Sequence, residues 1–101
     1  MRIHARSVGE IAAFRVVSRD EAVQLFRKIS GRKCTVEISE SATGAELVEK
    51  CFELFKISPD VVLSEKKLLQ GNDLLMQHGN LKDLGLKDGD CVEINLVVTV
   101  R

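Results

Sequence analysis

The side chains in this 101-residue sequence best suited to nucleophilic or soft-metal chemistry are three cysteines and two histidines. Cys34, Cys51 and Cys91 are an odd number, contain no Cys-x-x-Cys pair, and have no zinc-like spacing with His4 or His78. A thiolate nucleophile needs a base within hydrogen-bond reach and a third group that orients the base. A Cys–His pair therefore forms only if folding brings His78 beside Cys91 or Cys34. The cysteines read instead as small apolar residues of a core or its rim, in a reducing compartment. No catalytic residue, metal ligand or cofactor site is expected, and the chain does not read as an enzyme.

Oxygen ligands give a similar answer. Asp88-Gly89-Asp90, with Asp83 nearby, lacks the repeated acidic positions and terminal Glu of a calcium loop and reads as a solvated turn. The glycines are dispersed and form no phosphate loop. Arg27, Lys28, Arg32 and Lys33 are a basic cluster able to touch phosphates. The whole chain is nonetheless neutral, with fifteen basic and fifteen acidic side chains, and it has four Phe but no Trp or Tyr to stack on bases. Nucleic acid is thus not the expected partner. The balance is uneven along the chain: residues 1–33 hold eight basic and three acidic side chains, and the remainder seven and twelve. The basic end can meet an acidic partner or, more simply, the acidic remainder of the same chain.

The elements that must position these residues follow from periodicity. Hydrophobic residues make up 45% of the chain and charged residues 30%, a globular composition large enough for one core. No apolar run approaches a membrane span, and no apolar segment follows Arg2 and Arg6 to make a secretory signal. Thr43 can cap the amide of Glu46, and Leu47, Val48, Cys51, Phe52 and Phe55 then recur at helical spacing, so a helix is predicted over 44–56. Cys34, Val36 and Ile38 alternate as a half-buried strand. Val61–Leu63 and Lys67–Gln70 are two short strand candidates, and Gly71-Asn72-Asp73 is a turn. Leu81, Leu84 and Leu86 anchor a loop around Gly85. The turn at 88–90 opens the strongest strand, where Val92, Ile94, Leu96 and Val98 alternate; that strand should be central. The predicted core is Leu47, Cys51, Phe55, Leu69, Leu84, Leu86, Val92, Ile94 and Leu96.

The region before Cys34 has two readings. Val23–Ile29 can be a strand that forms a hairpin with Cys34–Ser39 through Ser30-Gly31-Arg32-Lys33, with Arg27 snorkelling at the rim. Alternatively Asp20 caps a helix carrying Ala22, Val23, Phe26 and Ile29, ended by Gly31, and the hairpin partner is Ile11–Val17.

Taken in order, Val23-Gln-Leu-Phe-Arg-Lys, Cys34-Thr-Val-Glu-Ile, the helix from Thr43, Lys67-Leu-Leu-Gln-Gly-Asn-Asp-Leu, and the closing stretch from Leu81 to Leu96 resemble the ubiquitin-like, beta-grasp family over residues 23–98. The resemblance favours the strand reading of 23–29. It implies an α+β roll, a mixed sheet of four or five strands on one main helix, with 23–101 as the domain and 1–22 as an extension that is flexible or adds an edge strand. Conjugated members of that family end in Gly-Gly, whereas Val97-Val98-Thr99-Val100-Arg101 is β-branched and extends the strand. The expected function is therefore a non-conjugating protein-interaction or adaptor domain. The alternative is a diverged modifier whose active C-terminus lies beyond this chain. The resemblance also implies a partner-facing surface centred on Leu68, with Glu93 and Asn95 on the last strand and Ile29 or Ser30 at the first turn. Its polar residues would weaken binding of ordinary ubiquitin readers. A monomer with an unidentified protein partner, in the cytoplasm or nucleus, completes the expectation.

Overall fold

The computed structural model describes residues 1–101, which form β1 (Arg2–Ala13), α1 (Arg19–Ile29), β2 (Lys33–Glu37), α2 (Gly44–Phe55), β3 (Leu63–Gln70), β4 (Asp73–Leu75) and β5 (Cys91–Val100). The strands make one mixed sheet in the order β2-β1-β5-β3-β4. β1 and β5 run parallel at its middle, and the remaining pairs are antiparallel. With helices packed on one face, this is a beta-grasp-like topology. The last strand is central, as its apolar alternation requires: Val92, Ile94, Leu96, Val98 and Val100 are all buried on the helix side.

α2 forms where the sequence places it. Thr43 Oγ1 accepts from the Glu46 amide at 3.1 Å, and Lys56 closes the helix in the left-handed region. The Glu46 carboxylate accepts from the Thr43 hydroxyl instead of its amide, so only one arm of the capping box is made. Leu47, Val48, Cys51 and Phe55 turn into a single core with Ile3, Val36, Leu68, Leu81 and Ile94. Of the two strand candidates after α2, Lys67–Gln70 lies in a longer strand, Leu63–Gln70, with a bulge between Leu63 and Glu65, whereas Val61 and Val62 of the first candidate precede it and are not in a strand. Gly71 opens the predicted turn with φ +61°, and Leu81 and Leu86 anchor the loop as expected.

The N-terminal third corrects the strand reading. Val23–Ile29 is helical, inside α1, and Ser18, not Asp20, is its cap, accepting from the Glu21 amide. The 3.6-residue spacing of Ala22, Leu25 and Ile29 puts those three side chains on the core side and frees Arg27 from any buried position. Nor are residues 2–13 a loose extension: β1 lies between β2 and β5 over its first half, and only Gly9–Ala13 keep an open edge. The hairpin partner of β2 is Arg2–Arg6, so the 11–17 segment of the helix reading is also displaced.

Gly9 explains why this strand was hard to see. Ile3, Ala5 and Ser7 are buried in alternation, followed on the same side by Gly9, so the apolar signal fades along the strand. A Cβ at Gly9 would lie 2.4 Å from Ser30 Oγ and 2.7 Å from Ile29 Cγ1. The end of α1 sits directly on the strand, and only a residue without a side chain lets it do so.

Two outcomes test this arrangement. Deleting residues 1–13 should abolish cooperative thermal unfolding followed by circular dichroism, since it removes one of the two middle strands; retained cooperativity would mean β1 is dispensable. Gly9→Val should destabilise by about 1–3 kcal/mol through overpacking, measured by denaturant unfolding, against little change for the open-face control Val8→Thr.

Candidate functional site

Both helices cover one side of the sheet, leaving the other side uncovered. Strand register decides what stands there. Arg2, His4, Arg6, Val8 and Glu10 of β1 alternate with its buried residues and align with Glu37, Thr35 and Lys33 of β2 on one flank. On the other flank they align with Cys91, Glu93, Asn95 and Val97 of β5. Glu93 faces Leu69 of β3, Asn95 faces Lys67, and Leu69 in turn faces Leu74 of β4. The charges are paired across strands: Arg2 with Glu37 at 3.0 Å, Arg6 with Glu93 at 3.4 Å, and Lys67 with Glu10 at 3.4 Å. These are exposed or half-exposed pairs, worth little in stability.

A concavity of about 650 Å³ crosses this face, lined by His4, Arg6, Lys33, Thr35, Cys91 and Glu93, with Gly71 at the β3–β4 turn. His4 Nδ1 is hydrogen-bonded to Thr35 Oγ1 at 2.9 Å. His4 and Cys91 are direct register partners, so folding does bring a histidine beside a cysteine, but the histidine is His4 and not His78. The parallel pairing of the first strand with the last is the signal that would have revealed this. No group of three or more His, Cys, Asp or Glu side chains is placed to hold a metal ion.

The sequence-predicted surface is only partly assembled. Glu93 and Asn95 share the open face. Leu68 does not: it is 0% exposed, aligned with Ile94 on the helix side. The strand register is shifted by one residue from the expected one, so Leu69, predicted for the core, is the half-buried apolar residue beside Glu93. Ile29 is fully buried over Gly9, and Ser30 accepts from the Gly9 amide at 2.8 Å, both on the helix side. The basic cluster is likewise dispersed. Lys28 pairs with Asp60 at 2.9 Å on the helix side, while Lys33 stands on the open face. Asp88 and Asp90 are occupied in turn hydrogen bonds to Arg2, Lys87 and Gln70.

Cys51 is buried in the core on the opposite side of the sheet, and Cys34 packs against that core. Burial pushes both thiols up from the ordinary cysteine range, Cys51 far up, with Cys34 beside it adding to the effect. Cys91 is exposed. In comparison with known proteins, no protein-family model and no curated protein matches the chain.

These thiols give a pH-dependent outcome. In the unfolded chain Cys51 ionises near pH ~8.5, while in the fold it remains neutral well above that. The neutral thiol's contribution to stability is complete below the unfolded value and is lost as pH rises above it, because only the unfolded state then releases the proton. Denaturant midpoints should fall from neutral to strongly alkaline pH, and Cys51→Ala should flatten that fall; an unchanged slope would place Cys51 in water. Alkylation of the native protein should label Cys91 first and Cys51 last.

Proposed function

We propose that this chain is a non-catalytic, ubiquitin-like interaction domain whose open sheet face receives a protein partner. The observation that carries this reading is the uncovered face itself. Two helices lie on the opposite side, while this side presents a concavity, cross-strand ion pairs and the adjacent leucines Leu69 and Leu74. The surface is polar around an apolar spot, the composition of a transient interface. Lys33, a cation at the concavity outside the cross-strand ion pairs, favours a partner with an acidic side chain next to an apolar one.

The burial of β5 supports the adaptor reading over conjugation through Val97–Arg101 themselves. Val98 and Val100 are buried in the sheet, and Val97 is buried on its other face. Drawing these residues into a narrow activating-enzyme channel would require stripping β5 from β1 and β3. The resemblance to the ubiquitin-like family, now carried by strand order as well as by the closing segment, supports the same class. In this reading Leu69, opposite Glu93, takes the central position that the resemblance implies for Leu68.

The reading is tested by capture on the immobilised domain, followed by competition among variants. Leu69→Asp and Arg6→Glu should each reduce retention of the same captured protein about tenfold or more, in line with the loss of a central contact. Glu53→Lys, on the exposed side of α2, should leave it unchanged. A partner held equally by all four proteins binds elsewhere, and the open-face assignment then fails.

A further inference from the structure

β1 is longer than the strand beside it. β2 pairs only with Arg2–Arg6, whereas β5 accompanies β1 from His4 to Ala13. In this parallel ladder the even-numbered residues of β1 turn their backbone groups toward β5: the His4 amide donates to the Asp90 carbonyl at 2.9 Å and the Phe14 amide to the Val100 carbonyl at 2.8 Å. The odd-numbered residues turn theirs to the opposite flank. There Ser7 bonds the backbone of Gly31 and Arg32, and the Gly9 amide donates to Ser30 Oγ. Past that point the bonding stops. The carbonyls of Gly9 and Ile11 and the amides of Ile11 and Ala13 have no partner within the chain.

An apolar strip accompanies this bare edge. Val23, Phe26 and Ser30 are spaced by three and four residues and so form one row along α1. Ser30 fastens the end of that row to the edge at Gly9. Val23 and Phe26 are 39% and 41% exposed, and Phe14, just past the strand, is 76% exposed. No proline, bulge or outward lysine guards the edge between Gly9 and Ala13, although unpaired strands ordinarily carry such protection.

We infer that this edge pairs with the same edge of a second copy of the chain, antiparallel across a two-fold axis at Ile11, making one continuous sheet. The hydrogen-bonding groups favour a copy over a foreign strand because they are self-complementary about that axis. The two Ile11 residues exchange amide and carbonyl, and each Ala13 amide meets the Gly9 carbonyl of the other copy, so the Gly9 amide can stay on Ser30. The side chains agree. Glu10 comes opposite Ala12 of the second copy, not a second carboxylate, and Val8 comes opposite Phe14.

The helices fit the same axis. Ile29 and Ser30 lie at Gly9, and two strand residues at ~3.3 Å each correspond to roughly four helix residues at ~1.5 Å each. The point of α1 beside Ile11 is therefore near residue 25, between Val23 and Phe26. The axis sets Val23 of one copy against Phe26 of the other. It also brings the acidic first turn of each α1, with Asp20, toward the basic last turn of the other, with Arg27. A stable dimer covers about 800 Å² per partner, more than a short strand pair supplies, and the helix row extends the contact.

Sedimentation velocity across a wide concentration range tests the inference on the intact protein, independently of the open-face partner. The expected result is a reversible monomer–dimer equilibrium, with the Ile11 and Ala13 amides becoming protected from hydrogen exchange as the dimer fills. Phe26→Lys should raise the dissociation constant about tenfold or more. Ile11→Pro, which removes an outward amide and leaves the β5 ladder intact, should do the same; a circular dichroism melt confirms that each variant folds. A monomer at the highest concentration overturns the inference. So does a dimer that ignores Phe26→Lys and leaves those two amides exchanging freely, and so does a monomer that binds an added apolar strand peptide there.

Discussion

The parallel pairing of β1 with β5 is the constraint from which the remaining architecture follows. Ten consecutive register positions join the two strands, from His4 with Cys91 to Ala13 with Val100. Parallel neighbours cannot be joined by a tight turn, and everything between them in sequence must travel out and return. β2 and α1 are hung on one side of the pair, β3 and β4 on the other, and α2 crosses beneath. Because neighbouring positions in the ladder point to the same face, one register choice separates Ile3, Ala5, Val92 and Ile94 from Arg2, His4, Cys91 and Glu93. Core and open surface are two readings of a single alignment.

The size of α1 depends on that alignment as well. β1 and β5 both continue past the region that α2 covers, and their inward side chains, Ile11, Val98 and Val100, would meet water without a second helix. α1 supplies the cover, with Ile29 over Gly9 and Leu25 packed against the same core. It is tied down at its start by the Arg15–Glu21 pair at 2.6 Å and near its end by Lys28–Asp60. The Arg15 hydrogen bond holds the Glu21 carboxyl below its ordinary range. The beta-grasp-like sheet is thereby lengthened rather than decorated.

How much of this was legible in the sequence varied with the contrast between buried and exposed side chains. α2 and β5 were readable because their apolar residues are large and strictly periodic. β1 was not, since Ser7 and Gly9 stand at inward positions for the sake of close helix contact, and small residues leave no hydrophobic trace. The β3 register was ambiguous for a related reason: Leu68 and Leu69 are adjacent and chemically alike, so only cross-strand pairing distinguishes the buried one from the surface one. The open face inherited that ambiguity, which is why Glu93 and Asn95 were found while their apolar neighbour was displaced by one residue. The His4–Cys91 adjacency depends on a long-range parallel pairing that no local pattern encodes.

The Arg2 amide donates to Asp88, 86 residues away in sequence, at the point where the central pairing begins. A contact of that span closes nearly the whole chain into a loop, and the entropy of closure is lost before the ladder repays any of it. Of these five strands β1 leaves the ribosome first and β5 last. Between those moments β1 has both edges bare over Gly9–Ala13, with α1 as its only local cover. The order of synthesis thus exposes the strand on which the sheet is centred for longer than any other, and assembly is gated by arrival of its final neighbour.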